Sequence, residues 1–170
     1  RKPFALLKAF EKFIKKHPEA PVKLVHIGHN GFAKDFMNRY SDDYEQVISI
    51  NKNLPFDQVY KLQKKASVNI ILEAIAEFSP FLPGKFPHCI YAEKLILLLS
   101  PKKSESRRLL GADYPYWSEA DDEDKIYQQI ERLYATWKLE GTSYFREDLK
   151  DYLSEPYLKK LIPTLIQTDS

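Results

Sequence analysis

One lysine stands where a cation can do chemistry. The loop Ser79-Pro80-Phe81-Leu82-Pro83-Gly84-Lys85 lies between two apolar runs, and Lys85 opens a segment able to form a helix. That arrangement is anion-binding chemistry. Gly84 removes the Cβ that blocks close backbone approach, the first helical N–H groups are unpaired, and the dipole is positive there. Pro83 and Pro87 stiffen the approach, which lowers the entropy lost on binding. The same residues also read as a solvated lysine behind a plain turn glycine. His29 sits in a strand-to-helix turn and either lines a cleft or serves the turn. Asn51 and Asn53 follow an apolar run and either contact a base or complete a loop. Glu77 either accepts from a ligand hydroxyl or caps free N–H groups of the loop. Cys89 has no partner histidine in a recognisable motif and reads as a small buried hydrophobe.

The elements that must position these residues follow from periodicity. Val68–Leu72 and Leu95–Leu99 read as buried strands joined by a helix over Phe86–Lys94, hence parallel with a right-handed crossover. Ligands of such sheets bind beyond the carboxyl ends of the strands, where the Ser79–Lys85 loop lies. Val68–Phe78 also fits a helix, because Ile71, Ala74, Ile75 and Phe78 share a face; a helix ending at Ala66 favours the strand. Phe4–Lys16 carries one apolar stripe, Leu6, Ala9, Phe10, Phe13 and Ile14. Lys23–Ile27 and Gln46–Ile50 read as strands, with a helix over Phe32–Tyr40 between them. A helix over Asp57–Ala66 turns Val59, Leu62 and Ala66 inward. Ser106–Leu110 is a helical turn capped by Gly111, and Asp113–Trp117 holds a short edge strand. A long helix, Asp121–Lys138, buries Ile126, Ile130, Leu133 and Trp137, with the acidic run Ser118–Asp124 as its cap. Tyr144–Leu153 and Tyr157–Ile166 are closing helices. Strands alternating with helices define an α/β fold with a mostly parallel sheet, one domain over 1–170 with the helices of 121–170 packing back on it.

Composition excludes several classes. The net charge of +2 over 170 residues is too small to argue for nucleic acid. No run approaches about 20 apolar residues, so no transmembrane segment is expected. The single cysteine rules out an internal disulfide and fits a reducing, cytoplasmic setting. There is no metal-ligand spacing, no GxxxxGK and no GxSxG. The chain opens on Arg1 without a methionine or signal peptide, which points to a piece of a longer protein.

The order of elements resembles the C-terminal, donor-binding domain of family-4-like glycosyltransferases of GT-B architecture, over nearly the whole chain. The most specific stretch is Ser79–Gly111, where a Pro-Gly-Lys turn opens a helix, a strand follows, and Ser104-Glu105 precedes a short helix. Arg1 with Leu6–Phe10, and Gly28 after the strand ending at Ile27, also fit. The resemblance implies a Rossmann-like domain of a retaining glycosyltransferase in polysaccharide or glycoconjugate synthesis. It implies no cofactor and no essential metal, a nucleoside-diphosphate-sugar as donor, and an acceptor-binding domain upstream. Lys85 and Arg1 would stabilise the leaving diphosphate, with Gly84, Ser79, Glu77, His88, Asn51 and His29 around the donor. The family often carries a ribose-binding glutamate three residues after the lysine. His88 stands there instead, and the partner glutamate of the two-glutamate pattern would fall at Pro80. The domain's first strand would lie upstream, centrally between the strands starting at Lys23 and Val68, so an interrupted sheet is expected. The alternative is a non-catalytic Rossmann-like binding or interaction module.

Overall fold

The computed structural model describes residues 2–29 and 31–166. The first helix, α1 (Phe4–Lys16), forms where the stripe predicts it and buries Leu6, Leu7, Ala9, Phe10, Phe13 and Ile14. There follow β1 (Leu24–Ile27), a 3-10 turn (Gly31–Ala33), α2 (Lys34–Asp43), β2 (Val47–Ile50), α3 (Phe56–Lys65) and β3 (Val68–Leu72). Next come β4 (Phe78–Ser79), α4 (Phe86–Tyr91), β5 (Leu95–Leu99), β6 (Lys103–Ser104) and α5 (Glu105–Leu110). The chain closes with β7 (Trp117–Ser118), α6 (Glu123–Glu140), α7 (Glu147–Tyr152) and α8 (Glu155–Ile166). This is the expected α/β class, with parallel sheets flanked by helices. The strand reading of Val68–Leu72 holds over the helical alternative.

The sheet is interrupted. β1 pairs in parallel with β2, and β3, β5 and β7 form a separate parallel sheet in that order. Leu24 N–H bonds the Gln46 carbonyl and Gly28 N–H the Ile50 carbonyl, so Val25 and Ile27 turn their backbone groups to the other edge. On β3, Glu73 N–H bonds the Leu99 carbonyl, which leaves Val68, Ile70 and Leu72 facing the edge without a strand. β5 is buried on both faces throughout, as a central parallel strand must be.

Helix α1 joins the two halves, because Leu6 and Ala9 pack with β3 and β5 residues while Leu7, Phe10 and Phe13 pack with Met37 and Val47. Helix α6 lies on α1 through an edge-to-face contact of Phe13 and Tyr134 at 5.2 Å. Its start is capped as the acidic run suggests: the Asp122 carboxylate accepts from Lys125 N–H at 3.0 Å. Ile126 and Leu133 are buried, but Trp137 is 38 % exposed and stacks on Tyr134 instead of entering the core. Leu62 is likewise not inward, since α3 buries none of its residues completely.

On α1, Glu11 accepts hydrogen bonds from Lys15 at 2.6 Å, Tyr44 at 2.6 Å and Tyr40 at 2.8 Å. The Lys15 bond first, then Tyr44, pulls its carboxyl pKa down from 4.5 to about 2. A pKa lower in the folded state gives stability that is present above about 4.5 and is lost as pH falls toward about 2. Glu11→Gln is expected to cost on the order of 1–2 kcal/mol at neutral pH after solvent screening. Urea midpoints measured across that pH window should be flatter in the variant than in the wild type.

Candidate functional site at the carboxyl ends of the strands

Parallel strands bring the segments that follow them to one end of each sheet. His29 follows β1 and Asn51 follows β2, both exposed, and the segment 73–85 follows β3. Glu77 is exposed in that segment, whereas His88 lies in α4 with its ring 4.6 Å from that of Phe56 at the start of α3. An aromatic neighbour therefore engages this imidazole. Arg1 lies outside the described residues.

Lys85 does not direct its charge where the sequence suggests. Its ammonium donates to the Ile70 carbonyl at 2.9 Å, on the edge of β3 that has no neighbouring strand. A lysine on an open strand edge blunts pairing there. Its charge also reaches His26, whose pKa is held below 6.5 first by burial and then by Lys85. The expected row of free N–H groups at α4 is short as well. Phe86 N–H bonds the Pro83 carbonyl at 2.8 Å, Pro87 has no N–H, and Cys89 N–H is used within the turn. Gly84 has an ordinary backbone conformation, and a Cβ there would meet nothing within 4 Å. Gly84→Ala should change stability by less than about 0.5 kcal/mol. With the fold thus preserved in thermal melts, any loss of binding in that variant reports ligand approach.

Cys89 is buried as expected, and burial pushes its thiol up to about 11, against a weaker opposing pull from Lys85. This is an inert environment for a nucleophile.

Two short strands that periodicity cannot detect organise the opposite rim. β4 and β6 pair in parallel, Phe78 with Lys103 and Ser79 with Ser104. The rim they form encloses a groove of about 550 Å³ lined in part by Ser79, Lys102, Lys103, Arg107 and Arg108. Ser104 caps α5 by accepting from Arg107 N–H at 3.1 Å and donates to the Ser100 hydroxyl at 3.0 Å. The Ser100 hydroxyl also accepts from the Trp117 indole N–H at 3.1 Å. Cations flank the Trp117 ring, the Arg107 guanidinium at 3.5 Å and the Lys125 ammonium at 3.8 Å. Glu73, the residue after β3, is buried, and neither carboxylate oxygen has a hydrogen-bond partner among the described residues.

The cations of this rim were legible as Pro101-Lys102-Lys103 and Arg107-Arg108, a basic run directly after a buried strand. Arg107 and Arg108 read from sequence only as part of a helical turn over Ser106–Leu110, because the β4–β6 pairing that brings them beside Lys103 spans only two residues. Among the described residues, no group of three or more His, Cys, Asp or Glu side chains could hold a metal ion. No helix among them is long and apolar enough to cross a membrane. Comparison with protein-family models and with curated proteins finds no match.

Proposed function

We propose that this chain is the nucleotide-sugar-binding domain of a retaining glycosyltransferase, whose parent enzyme moves a sugar to a hydroxyl acceptor in polysaccharide or glycoconjugate synthesis. One observation carries the reading. The two segments of the resemblance, Ser79–Lys85 and Ser104–Gly111, are separated in sequence, yet Ser79 and Ser104 pair directly. Both then stand beside the carboxyl ends of parallel β3 and β5, the place where ligands of such sheets bind. As a sugar leaves, charge grows on the diphosphate, and fixed cations at that rim stabilise it without reorganising. The donor is a substrate, and the acceptor side belongs to a second domain in this scheme.

Calorimetric titration with UDP and GDP tests the reading, with uridine and guanosine as controls. A dissociation constant of about 0.1–1 mM for one diphosphate is expected, because one domain supplies half of a cleft. Equal behaviour of nucleoside and diphosphate removes the reading.

A second reading, a binding or interaction module, draws on a specific feature of the same loop. Ile75, Phe78 and Phe81 are 56 %, 60 % and 82 % exposed, an unusual concentration of large apolar side chains on one short segment. Absence of any nucleotide binding favours this alternative.

A further inference from the structure

We infer that the diphosphate of the ligand is held in the groove between β4 and α5 by Lys103 and Arg107, and not by Lys85. This rests on the donor-binding reading and names the part of the rim that does the work. Four cations, Lys102, Lys103, Arg107 and Arg108, line the groove against one carboxylate, Glu105. That carboxylate is already spent, since Arg108 donates to both its oxygens at 2.8 and 2.7 Å. Lys102 stands 3.6 Å from Glu119, an exposed and weak pair. The Lys103 side chain is exposed and has no hydrogen bond or ion pair among the described residues. The Arg107 guanidinium has no carboxylate in salt-bridge contact among the described residues; it lies on Trp117 and donates to the Ala112 carbonyl at 3.3 Å.

Of the four cations, Lys103 and Arg107 are therefore the two without a carboxylate partner among the described residues. Burial lowers the pKa of Arg107 against a weaker opposing pull from Glu119, and burial lowers that of Lys125 across the Trp117 ring, with Asp122 and Glu119 opposing and Arg107 and Lys102 adding to the shift. Like charges crowded into a partly desolvated site repel strongly, and a multivalent anion relieves that cost. Guanidinium groups match phosphate oxygens in pairs, which suits a diphosphate better than a simple halide. Phe78, which also lines the groove, offers an exposed aromatic face on which a nucleobase can stack. The alternative cation, Lys85, bonds a strand carbonyl, and the α4 turn behind it has lost most of its free donors.

The experiment is calorimetric titration of the chain with inorganic pyrophosphate, UDP and GDP, on wild type, Lys103→Glu, Arg107→Gln and Lys85→Ala. Circular dichroism melts accompany each variant, because Arg107 packs on Trp117, whereas Lys103 is exposed and its change should not disturb the fold. The expected result is pyrophosphate binding that Lys103→Glu and Arg107→Gln each weaken about tenfold or more, and that Lys85→Ala leaves within about twofold. UDP should follow the same order. Pyrophosphate binding insensitive to Lys103→Glu overturns the proposal, and so does loss of binding in Lys85→Ala alone. UDP binding that depends on Lys85 and ignores Lys103 overturns the groove while leaving the donor-binding reading in place. Pyrophosphate held by Lys103 with no affinity for either UDP or GDP supports the groove and removes the donor reading. No binding of any of the three probes overturns both.

Discussion

Phe13→Ala is expected to lower folding stability by about 3–5 kcal/mol, the cost of deleting a large buried side chain and leaving a cavity. Phe13 is wholly inaccessible and sits where α1, α6 and the β1–β2 half meet. Its ring meets Tyr134 edge-on at 5.2 Å and lies 4.8 Å from the ring of His17. His17 in turn bonds Glu131 on α6 at 2.9 Å, so the cavity would also loosen a polar tie between the two helices. Because the two sheets share no strand pairing, this helical packing carries much of the connection between them. Urea denaturation should show a lower midpoint. An unchanged midpoint would mean that the α1–α6 seam is not part of the cooperative core.

Tyr114→Phe should cost about 1–3 kcal/mol for each buried backbone group it leaves unpaired. The Tyr114 hydroxyl donates to the Ile96 carbonyl at 2.7 Å and accepts from Ile96 N–H at 3.0 Å. β7 is too short to reach that point of β5, pairing only with Leu98 and Leu99. A side-chain hydroxyl thus completes the ladder where no strand continues it, and burial holds the phenol protonated by raising its pKa. Removing one oxygen leaves a donor and an acceptor orphaned in the core. Thermal melts and amide exchange at Ile96 check this; protection unchanged from wild type would show that another group satisfies the strand.

The elements visible in the sequence were those whose side chains alone report their environment. Leu95–Leu99 is a continuous apolar run because a central parallel strand buries both faces, and its limits, like those of Val68–Leu72, match the structure. The stripe of α1 and the cap of α6 followed from local chemistry of the same kind. Trp137 failed because it lies near the end of α6, where the periodic stripe runs out toward solvent. Leu62 failed because α3 lies at the surface and buries none of its residues completely. The candidate site was less legible than the fold. The loop was located correctly, but the direction of the Lys85 side chain depends on an open carbonyl at Ile70, which no local pattern encodes. The basic rim depends on a two-residue pairing between segments 25 positions apart, Phe78 with Lys103, below the length at which alternation becomes a signal.

The central claim is that the loops after β3 and β5 recognise the phosphates of a nucleoside diphosphate. Amide chemical-shift mapping on the isotopically labelled chain tests it most directly, with UDP and GDP titrated against uridine and guanosine. The account predicts saturable shifts for a diphosphate at Ser79 and across Lys102–Arg108, with the matching nucleoside producing little change at the basic residues. Shifts confined to other surfaces, or the same shifts from nucleoside and diphosphate, would contradict phosphate recognition by this rim.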